Sequence, residues 1–332
     1  MNATTTEQEQ QTAARPWSQT VRERALKANL RDFGILGAFV VLVIVLSIAS
    51  SSFLTSGNLS NILDQWATLG LLAIGETICI IAGVFDLSVG AMVSVTAVVS
   101  AKVAISTGSD AGLIAAVLAG IGLGIINGLV IHYTRINSFI GTLATSIIYA
   151  GAATVITGGN IVTVINPSFG SIGQSSILGI TDPGWIFLIF TILAALLMAR
   201  TKFGRYVYAV GGNAEASRLS GIRVGGIRGI CFAISGLAAG LGGMILASRT
   251  QSAQDNVGTG MELTAIAAAV VGGTSIFGGD GAVWRGFLGV MLLAVIGNGF
   301  DLLNVSTTWQ QMVYGLLILV AVAADQLLRR RA

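Results

Sequence analysis

Apolar segments about as long as a membrane is thick follow one another through most of this chain, and they limit its fold more than any other feature. A helix needs roughly 20 apolar residues to cross the hydrocarbon core of a bilayer. Only 10% of the 332 residues are charged, whereas a soluble domain has about 25%. A soluble fold of this size would lack polar surface, so the sequence predicts an all-α, polytopic membrane helix bundle.

The apolar pattern contains ten candidate spans, separated by charged residues and glycine-rich turns. The eighth is too short to cross a bilayer as a straight helix, and it leads into a glycine-rich run. We therefore predict about ten transmembrane helices with a short or broken helix near 262–281, whose free backbone groups must be shielded by protein or line a wet cavity. The ten spans cover approximately residues 33–52, 63–84, 87–106, 111–133, 138–157, 185–199, 227–247, 262–273, 283–300 and 309–327.

Lysine and arginine are distributed asymmetrically between the connections. If the N-terminus is cytoplasmic, every Lys and Arg except Lys102 and Arg249 lies on the inner side, where basic residues concentrate in membrane proteins. The connection 158–184 contains neither Lys nor Arg and belongs outside. We therefore expect both termini in the cytoplasm. The net charge of +3 is too small to indicate a nucleic-acid partner.

The chain divides into a polar tail and one membrane domain. Residues 1–32 are predicted to be a cytoplasmic tail, in which apolar residues recur at the four-residue spacing of a short helix lying on the membrane surface. Residues 33–328 are expected to form a single transmembrane domain. Within it, residues 200–226 form a long cytoplasmic loop.

Several kinds of catalytic and cofactor site are missing from the sequence. None of the three lysines follows a glycine, which excludes a Walker A phosphate loop. The single histidine, His132, excludes a zinc site that needs two histidines, and no G-x-S-x-G elbow occurs. Cys79 and Cys231 lie inside apolar runs, so no disulfide framework is indicated. The sequence predicts no catalytic residue, no metal site and no cofactor.

The long cytoplasmic loop contains the pattern of a two-turn helix at about residues 214–220. Two glycines break the chain before it, and Asn213 is a suitable N-cap. Glu215 in the first turn suits the positive end of the helix dipole, and Gly221 can end the helix in a left-handed conformation. A helix this short is unstable alone in water and requires a surface on which to pack.

One side of this helix is apolar. Ala216 and Leu219 form a small apolar face, with Glu215 and Arg218 beside it. The pattern is compatible with an ordinary loop next to the membrane or with a docking element for another protein.

Polar side chains inside the apolar spans are candidates for a solute pathway. Glu76 lies in mid-span, where a carboxylate costs a few kcal/mol unless it is paired, hydrated or protonated. Asp86 precedes Ser88 at a helix break, and it either caps the third span or faces the solute route. Asn127 and Asn298 are amides within helices. They either form hydrogen bonds between helices or contact solute hydroxyl groups.

Four stretches of sequence resemble, in order and spacing, the permeases of ribose-type ABC importers. They are residues 204–222, the run from Asp86 to Gly90, residues 245–275 and residues 298–310. The resemblance covers roughly residues 33–327. The chain departs from the usual family pattern at Val84, Ser138, Phe277 and Asp280, and Glu76 lies where the family varies. The resemblance therefore indicates the family and not a particular sugar.

The resemblance implies the membrane-spanning permease subunit of an ATP-driven importer in the bacterial inner membrane, carrying a sugar or sugar-like solute. ATP would be hydrolysed by a separate cytoplasmic ABC ATPase subunit. A periplasmic or secreted sugar-binding protein would deliver the solute, and a second permease, either identical or a sister chain, would complete the pore.

In the ribose-type family, the cytoplasmic loop carries a coupling helix that docks in a groove of the ATPase. The resemblance therefore assigns coupling to Asn213, Glu215, Ala216, Arg218, Leu219 and Gly221.

Arg249 stands near Asp255 and Glu262 on the outer side. It either pairs locally with one of these carboxylates or is a periplasmic contact for the binding protein.

Two other functions remain open from the residues alone. An ion-coupled secondary transporter would use Glu76 or Asp86 as its coupling carboxylate. An intramembrane enzyme would need a nucleophile and a base, and no such pair is visible in the sequence. A secondary transporter requires no docking helix on its cytoplasmic face, so the loop at 204–222 favours the ABC permease.

Overall fold

The computed structural model describes residues 34–330, and helices dominate this part of the chain. The predicted tail 1–32 and its surface helix lie outside the described residues. Within residues 34–330 there are thirteen α-helices, and four two-residue strands pair as two small sheets. The predicted polytopic membrane helix bundle is confirmed.

The helices are numbered here in chain order. They are α1 (Gly34–Ala49), α2 (Ser56–Ile81), α3 (Val89–Thr107), α4 (Ser109–Thr134), α5 (Ser138–Thr157), α6 (Ser171–Gln174), α7 (Asp182–Arg200), α8 (Lys202–Gly212), α9 (Ala214–Leu219), α10 (Val224–Thr250), α11 (Met261–Val271), α12 (Val283–Leu302) and α13 (Thr307–Arg330). The strands are β1 (Val162–Thr163), β2 (Ser176–Ile177), β3 (Ile180–Thr181) and β4 (Ser252–Ala253), and Pro167–Gly170 is a 3₁₀ helix.

A helix occurs at the position of each of the ten predicted spans. Seven of them, α2, α3, α4, α5, α7, α10 and α12, are long and apolar enough to cross a membrane. Helices α1 and α11 are apolar but shorter. The predicted short eighth helix is α11, which has 11 residues and gives way to the glycine-rich run at Gly272.

Helix α10 lies at the centre of the bundle, where it packs against α2, α3 and α4. Its contact with α4 is made by glycine. A Cβ atom at Gly120 would overlap the carbonyl oxygen of Gly236, and one at Gly124 would overlap that of Phe232. These glycines let the two helices pack closely, because small residues let two backbones approach in a membrane.

One end of the bundle is built from residues 158–181 and the chain around β4, and we call it the strand end. Strand β1 pairs antiparallel with β4, and β2 pairs antiparallel with β3. The Gly173 N–H donates to the Ser248 hydroxyl over 2.9 Å, and this bond connects the strand end to the last turns of α10.

At the opposite end, α8 meets the end of α2 and the loop 272–282, and α9 packs against α8 and α10. We call it the α8–α9 end. Here the Gly279 N–H donates to the Ile81 carbonyl over 2.9 Å, and the Arg228 guanidinium donates to the Ala82 carbonyl over 3.3 Å. These bonds hold three separate segments in one place, namely the end of α2, the loop 272–282 and the start of α10.

The glycine contact between α4 and α10 generates a test of the packing. Replacing Gly124 with Leu forces side-chain atoms into the α10 backbone, and overpacking of this kind costs about 1–3 kcal/mol or more. We expect Gly124→Leu to lower the thermal unfolding midpoint of the detergent-solubilised protein by several degrees. Gly122, on the same helix, has no atom within 4 Å of its Cβ position. Gly122→Leu is therefore the matched control, and equal midpoints for the two variants would contradict the packing.

Candidate functional site

Four of the five side chains predicted for a solute pathway lie together. Glu76 is on α2, Asp86 and Ser88 are in the α2–α3 connection, and Asn127 is on α4. All four are completely buried. Tyr149 on α5 joins them, and we call these five residues the buried polar cluster.

Hydrogen bonds connect every member of the buried polar cluster. The Ser88 hydroxyl donates to Asp86 Oδ1 over 2.6 Å, and the Asn127 amide donates to Ser88 Oγ over 2.7 Å. The Asp86 backbone N–H donates to Glu76 Oε1 over 3.2 Å. The Tyr149 hydroxyl lies 3.0 Å from Asn127 Oδ1, its acceptor. Three helices and one connection are thus linked through polar groups in the middle of an apolar bundle.

Tyr149 was not among the residues predicted from the sequence. Its hydroxyl also lies 3.1 Å from the Leu123 carbonyl oxygen, so its single proton has two acceptors on α4. A tyrosine within an apolar span is a usable signal, because a buried phenol hydroxyl needs a partner. The signal does not say which helix supplies that partner.

The α2–α3 connection positions Asp86. Helix α2 ends at Ile81, and Gly83 has a left-handed φ of +73°, which turns the chain back on itself. Asp86 Oδ1 then accepts the backbone N–H of Ser88 over 3.1 Å, one residue before α3 begins. Asp86 thus forms a local turn just before α3 through its first carboxylate oxygen, whereas the N-cap residue of α3 is Ser88, whose side chain makes no capping bond.

The second oxygen of each acidic side chain is the unusual feature of this site. Glu76 Oε2 and Asp86 Oδ2 are buried, and neither has a hydrogen-bond partner among the described residues. Most buried polar atoms in folded proteins are paired, since an unpaired one costs free energy. A hydroxyl group from a solute or from water would pair with either oxygen, and the Ser235 hydroxyl of α10 interacts with the Asp86 carboxyl group.

Asn298 does not belong to the buried polar cluster. Its amide and that of Asn58 exchange two hydrogen bonds, of 2.8 and 2.9 Å, between α12 and the first turn of α2. The interhelical alternative for Asn298 is therefore observed, and the pair stabilises the contact of these helices close to the strand end.

Arg249 forms an ion pair, but not with the expected partners. Its guanidinium lies 2.9 Å from the Asp64 carboxylate on α2. Asp255 instead accepts the Thr154 hydroxyl over 2.7 Å, and Glu262 packs against Gly90. The expectation relied on nearness in sequence, whereas the neighbouring position of α2 and α10 decides the pairing. About a third of the Arg249 side chain remains exposed.

The predicted cytoplasmic helix is α9, and its ends are formed as the residues indicate. The Asn213 side chain accepts the Ala216 N–H over 2.9 Å, which is an N-cap. Gly221 has a φ of +83°, the left-handed conformation expected after the helix. Gly211 and Gly212, which were expected to break the chain, are instead the last residues of α8, and the break falls at Asn213.

The exposed face of α9 carries the other predicted coupling residues. Leu219 is 76% exposed, and Ala216 is exposed beside it, whereas Ser217 is buried against the bundle. The Arg218 guanidinium lies 2.6 Å from the Glu215 carboxylate. The hydrogen bond from Arg218 lowers the pKa of Glu215, so the pair is charged at neutral pH. The apolar face of α9 therefore points away from the described part of its own chain.

Comparison with known proteins identifies the family. The model of the family described as "Branched-chain amino acid transport system / permease component" matches residues 58–322. The ribose import permease RbsC of Escherichia coli K12 is 38% identical over 93% of this chain and 98% of its own length. The Bacillus subtilis RbsC is 40% identical over 88% of this chain and 91% of its own length. No solved structure matches the chain significantly.

A third relative is named for a different sugar. The D-allose transport system permease AlsC of E. coli K12 is 37% identical over 89% of this chain and 92% of its own length. Permeases of this kind lack an ATPase domain and work in general with an ATPase and a binding protein. The predicted resemblance is confirmed, and the chain belongs to this family of multi-pass membrane permease components of bacterial ABC importers.

Proposed function

We propose that this permease conducts a neutral sugar, and that the solute passes the buried polar cluster. The family description names branched-chain amino acids, but relatives that match nearly the whole chain are named for ribose, D-allose and L-arabinose. The chemistry of the cluster supports the sugar. A sugar presents several hydroxyl groups, which pair with precisely placed neutral and acidic acceptors rather than with a cation.

The observation that carries this proposal is the pair of unsatisfied oxygens, Glu76 Oε2 and Asp86 Oδ2. The other oxygen of each carboxyl group is held in place, that of Glu76 by the Asp86 backbone N–H and that of Asp86 by the Ser88 hydroxyl. A passing sugar hydroxyl would donate to either one. Asn127 and Tyr149 extend the same polar surface toward α4 and α5, and Ser88 lies between them.

The pair of buried carboxyl groups also resembles what an ion-coupled transporter requires. Membership of the ABC permease family argues against that function, since ATP hydrolysis on another subunit supplies the energy. An ATP-driven sugar permease and an ion-coupled transporter differ in how their transport rate responds to loss of the Glu76 charge.

We propose further that the α8–α9 end is cytoplasmic, that both termini lie there, and that the chain crosses the membrane ten times. The segment 251–282 supports ten crossings, because α10 reaches the strand end at Thr250 and α12 begins at the other end. Helix α11 and its flanking extended residues must therefore cross together. The charges support the orientation. Basic residues toward the α8–α9 end are Arg135, Arg200, Lys202, Arg205, Arg218, Arg223, Arg228 and Arg285.

The apolar face of α9 is proposed to dock on the ATPase subunit. A two-turn helix whose exposed face holds Leu219 and Ala216 requires a groove to cover it. Asn213 and Gly221 hold the ends of the helix, and the Glu215–Arg218 pair lines its polar edge. At the strand end, the exposed part of Arg249 is proposed to contact the binding protein. A second permease, identical or a sister chain, would provide the other half of the pore.

The orientation is tested by cysteine labelling. Ser175, at the strand end, and Ser220, beyond α9, are both exposed, whereas the native Cys79 and Cys231 are buried. We expect a membrane-impermeant thiol reagent to label Ser175→Cys in intact cells, and Ser220→Cys only after the membrane is opened. Labelling of both variants from the same side would contradict the topology.

The role of Glu76 is tested by two substitutions. Glu76→Gln keeps an acceptor oxygen, so we expect sugar uptake in proteoliposomes of the complete importer to stay within about threefold of wild type. Glu76→Leu removes the acceptors, and loss of one or two hydrogen bonds should raise the apparent KM for uptake about tenfold. Uptake that follows an imposed pH gradient and disappears in Glu76→Gln would instead support ion coupling.

Docking through α9 is tested at Leu219. Burial of this side chain in a partner groove would contribute roughly 1.5–3 kcal/mol, and a charge placed there would reverse the gain. We expect Leu219→Asp to abolish co-purification of the ATPase subunit, whereas Leu219→Met, which conserves volume, retains it. Because Leu219 is exposed in this chain, both variants should elute as the same folded species. Normal assembly and transport by Leu219→Asp would remove α9 from the coupling contact.

A further inference from the structure

We propose that the end of α2, from Ile81 to Gly83, transmits movement of α9 to the buried polar cluster, with Gly211 and Tyr208 as its positioning residues. The inference rests on the proposed docking of α9. It names the route by which that docking would reach Glu76 and Asp86.

The first step of this route is a direct connection, because one residue caps both the end of α8 and the start of α9. The Asn213 N–H donates to the Ala209 carbonyl of α8 over 3.0 Å, while its side chain accepts the Ala216 N–H of α9 over 2.9 Å. A displacement of α9 therefore pulls directly on the last turn of α8.

The second step is a contact between backbones. A Cβ atom at Gly211 on α8 would overlap the Ile81 carbonyl oxygen, so only glycine allows the two chains to lie this close. The same carbonyl accepts the Gly279 N–H over 2.9 Å. The end of α2 is thus held between α8 and the loop 272–282.

Tyr208 ties that loop to α8. Its hydroxyl donates to the Gly281 carbonyl over 3.0 Å, and Gly281 lies directly against the Ile81 side chain. Burial raises the pKa of the Tyr208 phenol, so the hydroxyl keeps its proton at neutral pH. Gly211 on α8 and the loop 272–282 contact Ile81 from two sides, and both are therefore expected to move when α8 moves.

The last step reaches the buried polar cluster. Beyond Ile81, the Val84 N–H donates to the Cys79 carbonyl over 3.0 Å, which folds the chain back along α2. The Asp86 N–H then donates to Glu76 Oε1 over 3.2 Å. A shift of Ile81 is expected to move Asp86 and Glu76 relative to Asn127, which is fixed on α4. This would open or close the cluster toward a solute.

The test compares two adjacent glycines. Gly211→Ala places a methyl group on the Ile81 carbonyl, whereas the Cβ position of Gly212 has no atom within 4 Å. Both substitutions favour the helix equally. The variants are assembled with the ATPase and binding protein in proteoliposomes. The measured quantity is the number of sugar molecules imported per ATP hydrolysed, with radiolabelled D-ribose, D-allose and L-arabinose as probes.

We expect Gly211→Ala to lower this ratio at least about tenfold, because the close contact is lost, and Gly212→Ala to stay within about twofold of wild type. A wild-type ratio in Gly211→Ala, or equal losses in both variants, would overturn the proposal. If Gly211→Ala fails to assemble, Tyr208→Phe decides. It removes one hydrogen bond and should lower the ratio about fivefold, and an unchanged ratio overturns the proposal.

The two sets of variants distinguish a failure of this route from a failure of the proposed α9 docking. A Leu219→Asp variant that loses the ATPase, combined with normal coupling in Gly211→Ala and Tyr208→Phe, would leave α9 as the docking element and reject this route. A Leu219→Asp variant that assembles and transports normally would reject the docking itself.

Discussion

Backbone groups released where a helix breaks inside an apolar bundle must find partners, and the rest of this structure depends on how that is done. The α2–α3 connection frees several N–H groups among buried residues. The Phe85 N–H donates to the Ser138 hydroxyl over 3.1 Å, and the Leu87 N–H donates to the Thr142 hydroxyl over 3.0 Å. Helix α5 thus supplies two side-chain acceptors for the broken segment, which satisfies the requirement that membranes impose on irregular backbone.

This arrangement explains one departure of the sequence from its family. Ser138, which precedes Phe139, is one of the positions at which the sequence departs from the ribose-type pattern. Its hydroxyl is the acceptor for Phe85. The Ser138 side chain therefore holds the connection that carries Asp86 against α5. Such a contact lies close enough to the buried polar cluster to influence its shape.

The buried polar cluster also depends on close packing at glycine residues. The contacts of Gly120 and Gly124 with α10, and of Gly211 with α2, are all backbone contacts that a Cβ atom would prevent. Close approach brings α2, α4 and α10 near enough for Glu76, Asp86 and Asn127 to share one buried space. The cluster itself costs stability, since two of its oxygens are unpaired within the described bundle. Close packing elsewhere in the bundle offsets that cost.

The positions of the helices and the ends of α9 were predictable from the sequence alone, because they follow from local patterns. Apolar length identified a helix at each of the ten predicted spans, and Asn213 and Gly221 marked the ends of α9 through their own backbone preferences. Glu76, Asp86 and Asn127 were recognisable as polar residues in apolar surroundings. Nothing local indicated that they meet, since their contacts join segments 10 to 41 residues apart in the chain.

Only the tertiary structure decided which groups pair. Arg249 bonds to Asp64 rather than to the carboxylates that follow it, Asn298 pairs with Asn58, and Tyr149 completes the cluster. Each of these partners is chosen by which helices lie side by side. That choice depends on the packing of apolar side chains and glycines over the whole bundle, and no short stretch of sequence contains it. The sequence by itself determined the membrane helices and the short helix α9, and the packing determined which polar groups meet.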